Sequence, residues 1–128
     1  MSEKSEILGL AFVSVYTDDF EKSYKFYHEV LGLQKEFDMG NQACFFGIGP
    51  ENHTGLYLQG GNERIEFKAD SMRAAFVLSV HSAFKMYEKL VALDIKMMQE
   101  EPIDMGQGDF WFQCYDPCGN ILEFLGGK

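Results

Sequence analysis

Basic residues are scarce in this 128-residue chain. The 11 lysines and arginines are outnumbered by 20 aspartates and glutamates, which gives a formal net charge of −9. Nucleic acids and anionic membranes are bound through a cationic face, so neither is expected as a partner. The acidic excess mildly favours a neutral or cationic ligand, although acidic surfaces are also common because they keep proteins soluble.

Long apolar runs and targeting signals are missing as well. No uninterrupted apolar stretch reaches the length of a membrane span, and the first residues, Met-Ser-Glu-Lys-Ser-Glu, contain no basic leader followed by an apolar core. Cysteines are few and odd in number, and Cys44 is far in sequence from Cys114 and Cys118, so no disulfide framework is predicted. The expected location is the cytoplasm.

Histidine gives no obvious metal site. His28 lies on a predicted helix beside Glu29 and is expected to face solvent, His53 falls in a predicted turn, and His81 stands at the start of a second predicted helix. No two of them have the four-residue spacing that places metal ligands on one helix face.

Hydrophobic residues (46%) and aromatic residues (15%) are plentiful enough to fill a core without disulfides or a structural metal. The most informative stretch runs from Trp111 to Leu125, where two apolar segments flank the turn sequence Asp-Pro-Cys-Gly-Asn. This pattern predicts a β-hairpin. By strand alternation, Glu123 should lie on the face opposite Leu122 and Phe124, and Cys114 should face the core.

The remaining pattern predicts an α+β fold of two tandem modules, at about 6–68 and about 72–127, each a βαβββ unit. The first half predicts a strand over 8–16 covered on both faces, a helix that begins at a capping box of Asp18 and Glu21 and ends at Gly32, and three strands. The second half predicts a strand over 73–80, a helix over 82–93, a strand over 95–99, a loop over 100–108 and the closing hairpin.

Two pairs of similar segments support an internal duplication. The segment 56–61, Leu-Tyr-Leu-Gln-Gly-Gly, ends the first half as the segment 122–127, Leu-Glu-Phe-Leu-Gly-Gly, ends the second. The helical segments 26–31 and 86–91 correspond in the same order. Paired modules with curved sheets imply a cup between them, which is the predicted binding site.

The segments 19–33 and 116–124 together resemble the vicinal oxygen chelate superfamily. This superfamily contains glyoxalase I, extradiol dioxygenases, fosfomycin-resistance transferases and bleomycin-resistance binding proteins. The resemblance implies paired βαβββ modules around a cup, with the helices outside, and in the enzymes a divalent metal held by histidine and carboxylate ligands. It also implies a homodimer, because members commonly build the complete cup from two chains. Fold does not decide among these activities.

The resemblance places the metal-ligand positions on the first and last strands of each module. In this sequence those positions are occupied by Phe12, Tyr57, Arg73 and Glu123. Only Glu123 is an ordinary metal ligand, and one carboxylate does not hold a catalytic metal. No cofactor is therefore expected. If Arg73 and Glu123 do occupy former ligand positions, they could pair with each other in place of the metal; otherwise Glu123 is simply solvated.

Family geometry and strand alternation predict a cup lining of aromatic surfaces with a few polar groups. Its predicted members are Phe12, Ser14, Tyr16, Tyr57, Gln59, Arg73, Ala75, Val77, Asp109, Trp111, Gln113 and Glu123.

Three hypotheses follow for the function. The first is a metal-independent protein of the bleomycin-resistance type that binds an aromatic or cationic small molecule. The second is a divalent-metal-dependent lyase, isomerase, transferase or dioxygenase in which Glu123 is a metal ligand or general base. The third is a metal-free enzyme that uses Glu123, Tyr57 or Asp109 as acid or base.

Overall fold

The computed structural model describes residues 6–52, 54–64, 66–68 and 71–128. It confirms the predicted α+β architecture of two βαβββ modules. The first module consists of β1 (Val13–Tyr16), α1 (Phe20–Lys25), which continues as a π-helical segment over Phe26–Val30, β2 (Gln34–Asp38), β3 (Ala43–Ile48) and β4 (Thr54–Gln59), with a short 3-10 turn at Pro50–Asn52. The second module consists of β5 (Phe76–Ser82), α2 (Ala83–Ala92), β6 (Ile103–Gly106), β7 (Asp109–Tyr115) and β8 (Ile121–Gly127).

Each module folds into one mixed four-stranded sheet. The strand order is β1-β4-β3-β2 in the first sheet and β5-β8-β7-β6 in the second. In both sheets the first strand runs parallel to the last strand of its module, and the other pairs are antiparallel. No helix within the described ranges is long and apolar enough to cross a bilayer.

One face of each sheet is buried against the module's own helix. The predicted alternation of the closing hairpin is confirmed, since Cys114, Leu122 and Phe124 are buried. The corresponding residues of the first sheet are buried in the same way, namely Val15, Cys44, Phe46, Leu56 and Leu58. Burial of such side chains contributes most of the stability of a domain this size. The opposite face of each sheet is therefore left for the site.

The starts of both helices are fixed by side-chain caps. Ser82 accepts a hydrogen bond from the backbone N–H of Lys85 at 3.0 Å and caps α2. The cap of α1 is Asp19, which accepts from the N–H of Lys22 at 3.1 Å, one residue later than predicted. Asp18, the predicted cap, accepts a hydrogen bond from the thiol of Cys118.

Strand boundaries differ from the sequence prediction at three places. The strand predicted over 8–16 begins only at Val13, because the parallel register places Ala11 beside Thr54, where β4 starts. The prediction that this strand is covered on both faces is wrong, since Leu8 and Leu10 are largely exposed. The strand predicted over 73–80 begins at Phe76 and extends to Ser82.

The third difference lies in the second module. The predicted strand over 95–99 is wrong, since that segment contributes only an isolated bridge between Met97 and Cys114. The sixth strand is instead Ile103–Gly106, in the predicted loop. Gly106, Gln107 and Gly108 all have positive φ, and the pairing of Gly106 with Asp109 makes a two-residue hairpin. Such hairpins favour residues that tolerate positive φ, a signal that the sequence prediction missed.

The two modules are joined at one end. The buried hydroxyl of Tyr27, on the helix of the first module, donates to Oδ2 of Asp116, in the hairpin turn of the second, at 2.6 Å. Asp116 also accepts from the backbone N–H groups of Cys118 and Asn120 and from the Asn120 side chain. The Asn120 side chain bridges the modules too, because its Nδ2 donates to the carbonyl of Tyr16.

Candidate functional site

The centre of the site is the Glu123 carboxylate on the free face of β8. Nε1 of Trp111 donates to Oε1 of Glu123 at 2.7 Å, and Nε2 of Gln113 lies 3.3 Å from Oε2. Gln113 is the direct cross-strand neighbour of Glu123. Both carboxylate oxygens are thus bound by neutral N–H donors. Hydrogen bonds to an ionised group are stronger than neutral ones, so this arrangement holds the carboxylate in a fixed orientation.

Gln99 supports this group from the connection before β6. Its Oε1 accepts from the backbone N–H of Gln113 at 2.6 Å, and its Nε2 donates to Oε1 of Gln113 at 2.9 Å. The hydroxyl of Tyr87 on α2 donates to the carbonyl of Gln99. These bonds explain why Gln113 can be 1% exposed, and they fix which end of its side chain faces Glu123. The sequence prediction missed Gln99 because it assigned the segment to a strand.

The free face of the first sheet carries an aromatic cluster. Phe45 packs edge-on against Phe12, with ring centroids 5.4 Å apart, and stacks on Phe37 at the same distance. Tyr57 pairs with Phe45 across the strands and lies 6.4 Å from Phe12. Phe37 and Phe45 were not predicted in the lining. Alternation along β3 identifies Phe45, because Cys44 and Phe46 on either side of it are both buried.

The register of the two sheets corrects the predicted position of Arg73. Ser14 pairs with Tyr57 in the first sheet, and Val77 pairs with Glu123 in the second. If Tyr57 and Glu123 are equivalent, then Phe12 corresponds to Ala75, two residues after Arg73. The error came from allowing two extra residues between strand and helix in the second module, whereas Phe12 and Ala75 lie equally far before the helix caps Asp19 and Ser82.

Arg73 is bound elsewhere and does not pair with Glu123. Its guanidinium donates to the backbone carbonyls of Ser71 and Gly119 and lies over the ring of Phe67, 4.0 Å from the centroid. The hypothesis of an Arg73–Glu123 pair in place of a metal is therefore wrong. Arg73 belongs to the junction between the modules.

The other predicted lining residues lie in three places. Ser14 and Tyr16 line a cavity of about 650 Å³ between the modules, together with Arg73. Gln59 is half-buried at the end of β4. Asp109 is exposed at the start of β7, where it pairs with Gly106. The structure thus brings Trp111, Gln113 and Glu123 together, and it groups Phe12 with Tyr57 on the other sheet.

The donor set around Glu123 does not fit a divalent metal. The family's ligand positions hold Phe12, Tyr57 and Ala75 besides Glu123, and none of the first three is an ordinary ligand for such an ion. Within the described residues no group of three or more histidine, cysteine, aspartate or glutamate side chains is placed to hold a metal. The carboxylate oxygens already accept from Trp111 and Gln113.

The described histidines lie away from this site. His28 is half-buried rather than solvent-facing: its ring stacks on Tyr24, and Nδ1 lies 2.8 Å from the carbonyl of Leu33. His81 is exposed on β5, and His53 lies outside the described residues.

In the part of the chain that the structure describes, the free faces of the two sheets are not packed on each other. Among the described residues, no strand pairing, ring contact or hydrogen bond joins the cluster of Phe12 and Tyr57 to the group of Trp111 and Glu123. Phe12, Tyr16, Phe37 and Val77 are each about half exposed, at 47–51%. An apolar surface of this kind is typical of an interface or a binding groove.

Comparison with known proteins agrees with this architecture. The chain is similar to the lactoylglutathione lyase of Agrobacterium tumefaciens, with 21% identity over 96% of both chains and a TM-score of 0.71. It is similar to the genomically encoded fosfomycin resistance protein FosX of Listeria monocytogenes, with 19% identity, coverage of 95% of this chain and 93% of that chain, and a TM-score of 0.73. Among curated protein sequences, none is significantly similar to this chain.

An integron cassette protein from the mobile metagenome of V. cholerae has the same fold, with 20% identity over 97% of this chain and 98% of that chain and a TM-score of 0.69. At these identities the solved structures establish the fold and leave the reaction open. The family model covers residues 9–124. The chain belongs to the Glyoxalase/Bleomycin resistance protein/Dioxygenase superfamily.

Proposed function

We propose that this protein binds a small aromatic or cationic molecule in the cup without a metal. The proposal rests on the surroundings of Glu123, whose two carboxylate oxygens accept hydrogen bonds from Trp111 and Gln113. The family's other metal-ligand positions hold side chains that do not bind metals. A carboxylate held in this way is poorly placed to accept a metal.

The chemistry of the surroundings suits a flat or quaternary cation. Aromatic faces attract cations through their π electrons, by about 0.5–2 kcal/mol for each contact, and the first sheet offers the rings of Phe12, Phe45 and Tyr57. Glu123 supplies the complementary charge and Trp111 a large surface for stacking. The net charge of −9 adds a favourable long-range field for a cationic ligand.

A second copy of the chain would complete the cup. Among the described residues, no strand pairing, ring contact or hydrogen bond joins the aromatic face of the first module to the Glu123 face of the second. Phe12 is half exposed, and Trp111 and Glu123 are partly exposed. A symmetric homodimer in which the first module of one copy faces the second module of its partner would cover both faces and bring Phe12 towards Glu123. Analytical ultracentrifugation tests this assembly: a dimer is expected, and a monomer at ligand-binding concentrations would contradict it.

The cytoplasm is the proposed location. Cys44, Cys114 and Cys118 are all unpaired, as is usual for proteins in a reducing compartment. Burial raises the pKa of the Cys114 thiol to about 12 and that of Cys44 to about 11. Both thiols therefore stay protonated and act as core side chains, as predicted for Cys114.

The binding proposal is tested by tryptophan fluorescence, because Trp111 is the only tryptophan. Titration with benzyltrimethylammonium is expected to change its emission saturably, and benzyl alcohol, which has the same ring without the charge, should bind more weakly. Glu123→Gln should reduce the affinity for the cation about tenfold or more, and Glu88→Gln, an exposed change of equal charge on α2, should not. No saturable binding of either compound, or equal affinity of Glu123→Gln and Glu88→Gln for benzyltrimethylammonium, would overturn the proposal.

A further inference from the structure

A second cavity lies at the junction of the two modules, apart from the cup. Its volume is about 480 Å³, and it is bounded by α1, the connection between the modules, the segment after α2 and the turn between β7 and β8. Neither Trp111 nor Glu123 lines it. A cavity of this size matches a small-molecule site.

The charge of this cavity is opposite to that of the whole protein. Five of the chain's 11 basic residues line it, and these are Lys22, Arg64, Lys68, Arg73 and Lys96. Three carboxylates also line it. Of these, Asp116 is buried and accepts four hydrogen bonds, and Glu66 lies 3.9 Å from Arg64. Asp94 is the third.

Several of these cations are not neutralised. In the described part of the chain, the only salt bridge at this cavity is the loose one between Arg64 and Glu66. The side-chain ammonium groups of Lys22 and Lys68 have no hydrogen-bond partner among the described residues, and Lys96 lies over the ring of Tyr115 at 5.2 Å. Positive charges clustered in a concave site attract anions more strongly than the same charges spread over a surface.

Two flat groups, the guanidinium of Arg73 and the ring of Phe67, line the cavity beside these charges. Arg73 is stacked on Phe67, with 4.0 Å from Cζ to the ring centroid, and its guanidinium is fixed by the carbonyls of Ser71 and Gly119. Phe67 is 50% exposed, so one side of its ring is open. The cavity therefore combines a fixed guanidinium plane, an open aromatic ring and exposed ammonium groups, which suits a planar ligand with an anionic group.

We propose that the junction cavity is a second binding site, which takes a small aromatic compound that carries a carboxylate or a phosphate. This site contacts both modules and the connection between them, so its ligand is held by Lys22 of the first module and Lys96 of the second. The junction cavity is thus proposed to bind an anionic ligand, whereas the cup is proposed to bind an aromatic or cationic one.

The test is an NMR titration of the ¹⁵N-labelled full-length protein with three compounds that share the same benzene ring, namely phenyl phosphate, benzoate and phenol. At least one of the two anions is expected to shift the backbone amide resonances of Gly119 and Lys96 saturably, while phenol does not and the Trp111 indole resonance stays unchanged. The affinity should fall as salt is raised, because the charges involved are exposed to solvent.

Two double variants isolate the role of the charges. Lys22→Gln with Lys68→Gln is expected to weaken anion binding roughly three- to tenfold. Lys85→Gln with Lys89→Gln, which removes the same charge from exposed positions on α2 outside the cavity, should leave the affinity within about twofold. Phenol binding as tightly as the anions, shifts at Trp111 instead of Gly119, or equal losses in the two variants would overturn the proposal.

Discussion

The hydroxyl of Tyr27 lies 2.6 Å from Oδ2 of Asp116, and this buried hydrogen bond joins the helix of one module to the hairpin turn of the other. The residues are 89 positions apart in sequence. Asp116 is held at the same time by the amides of its own turn. Together with the bonds from Asn120 to the Tyr16 carbonyl and from Cys118 to Asp18, this hydrogen bond helps to fix the position of the first module relative to the second, and with it the shape of the junction cavity.

Removal of the Tyr27 hydroxyl should destabilise the protein without creating a cavity in the core. Tyr27→Phe keeps the ring and loses a hydrogen bond to a charged acceptor, at an expected cost of about 1.5–3 kcal/mol in the free energy of unfolding. Urea denaturation measures it. Tyr16→Phe is the matched control, because the Tyr16 ring is half exposed, and its cost should stay below about 0.5 kcal/mol. Equal effects of the two variants would show that the hydrogen bond contributes nothing.

The same tyrosine should make stability depend on pH in the alkaline range. Burial, and next the charge of Asp116, raise the pKa of Tyr27 well above its usual value. Below about pH 10 the tyrosine is protonated in both the folded and unfolded states and stability is unaffected. Above that pH the unfolded state releases the proton first, so stability falls by up to about 1.4 kcal/mol per pH unit for this group.

The contribution of Tyr27 to this pH dependence is isolated by comparing the wild type with Tyr27→Phe. The buried cysteine thiols are present in both proteins, so their effect on the pH dependence cancels. The free energy of unfolding, measured by urea between pH 8 and 11, should fall less steeply for the variant than for the wild type above pH 10. Parallel slopes would mean that Tyr27 ionises as readily in the folded protein as in the unfolded chain.

Gln99 should act on the cup through Gln113. Gln99→Leu removes the acceptor of the Gln113 backbone N–H and the donor to its side-chain oxygen, so Gln113 is free to turn away from Glu123. A stability loss of about 1–3 kcal/mol is expected from the unsatisfied buried groups, together with weaker binding of benzyltrimethylammonium. Gln34→Leu, at an exposed position on β2, is the control for an equivalent surface change. Unchanged binding in a folded Gln99→Leu protein would contradict a positioning role for Gln99.

The sequence predicted those features that depend on local alternation and turn chemistry. The two modules, the closing hairpin and the placement of Trp111 beside Glu123 all follow from apolar periodicity and from the turn at 116–120. The true sixth strand was missed because its hairpin depends on positive φ at Gln107, which the sequence pattern marked only by two flanking glycines.

Other features depended on contacts between distant segments. The contacts of Arg73 could not be read from local spacing, because the residue equivalent to Phe12, counted back from the caps Asp19 and Ser82, is Ala75, and Arg73 instead binds at the junction between the modules. Its bond to Gly119 bridges 46 positions. The role of Gln99 also could not be predicted from nearby residues. Its contacts with Gln113 arise because the segment after α2 lies beside β7, where Met97 forms a bridge with Cys114.

Metal binding is the most direct test of the central claim. Protein purified without a histidine tag should contain no metal above background by elemental analysis, and calorimetric titration with nickel, zinc, manganese and iron(II) should show no tight stoichiometric site. Glu123→Gln should behave like the wild type in these titrations. One metal ion bound tightly per cup, and lost in Glu123→Gln, would contradict the metal-independent account and make a metalloenzyme of this superfamily the better explanation.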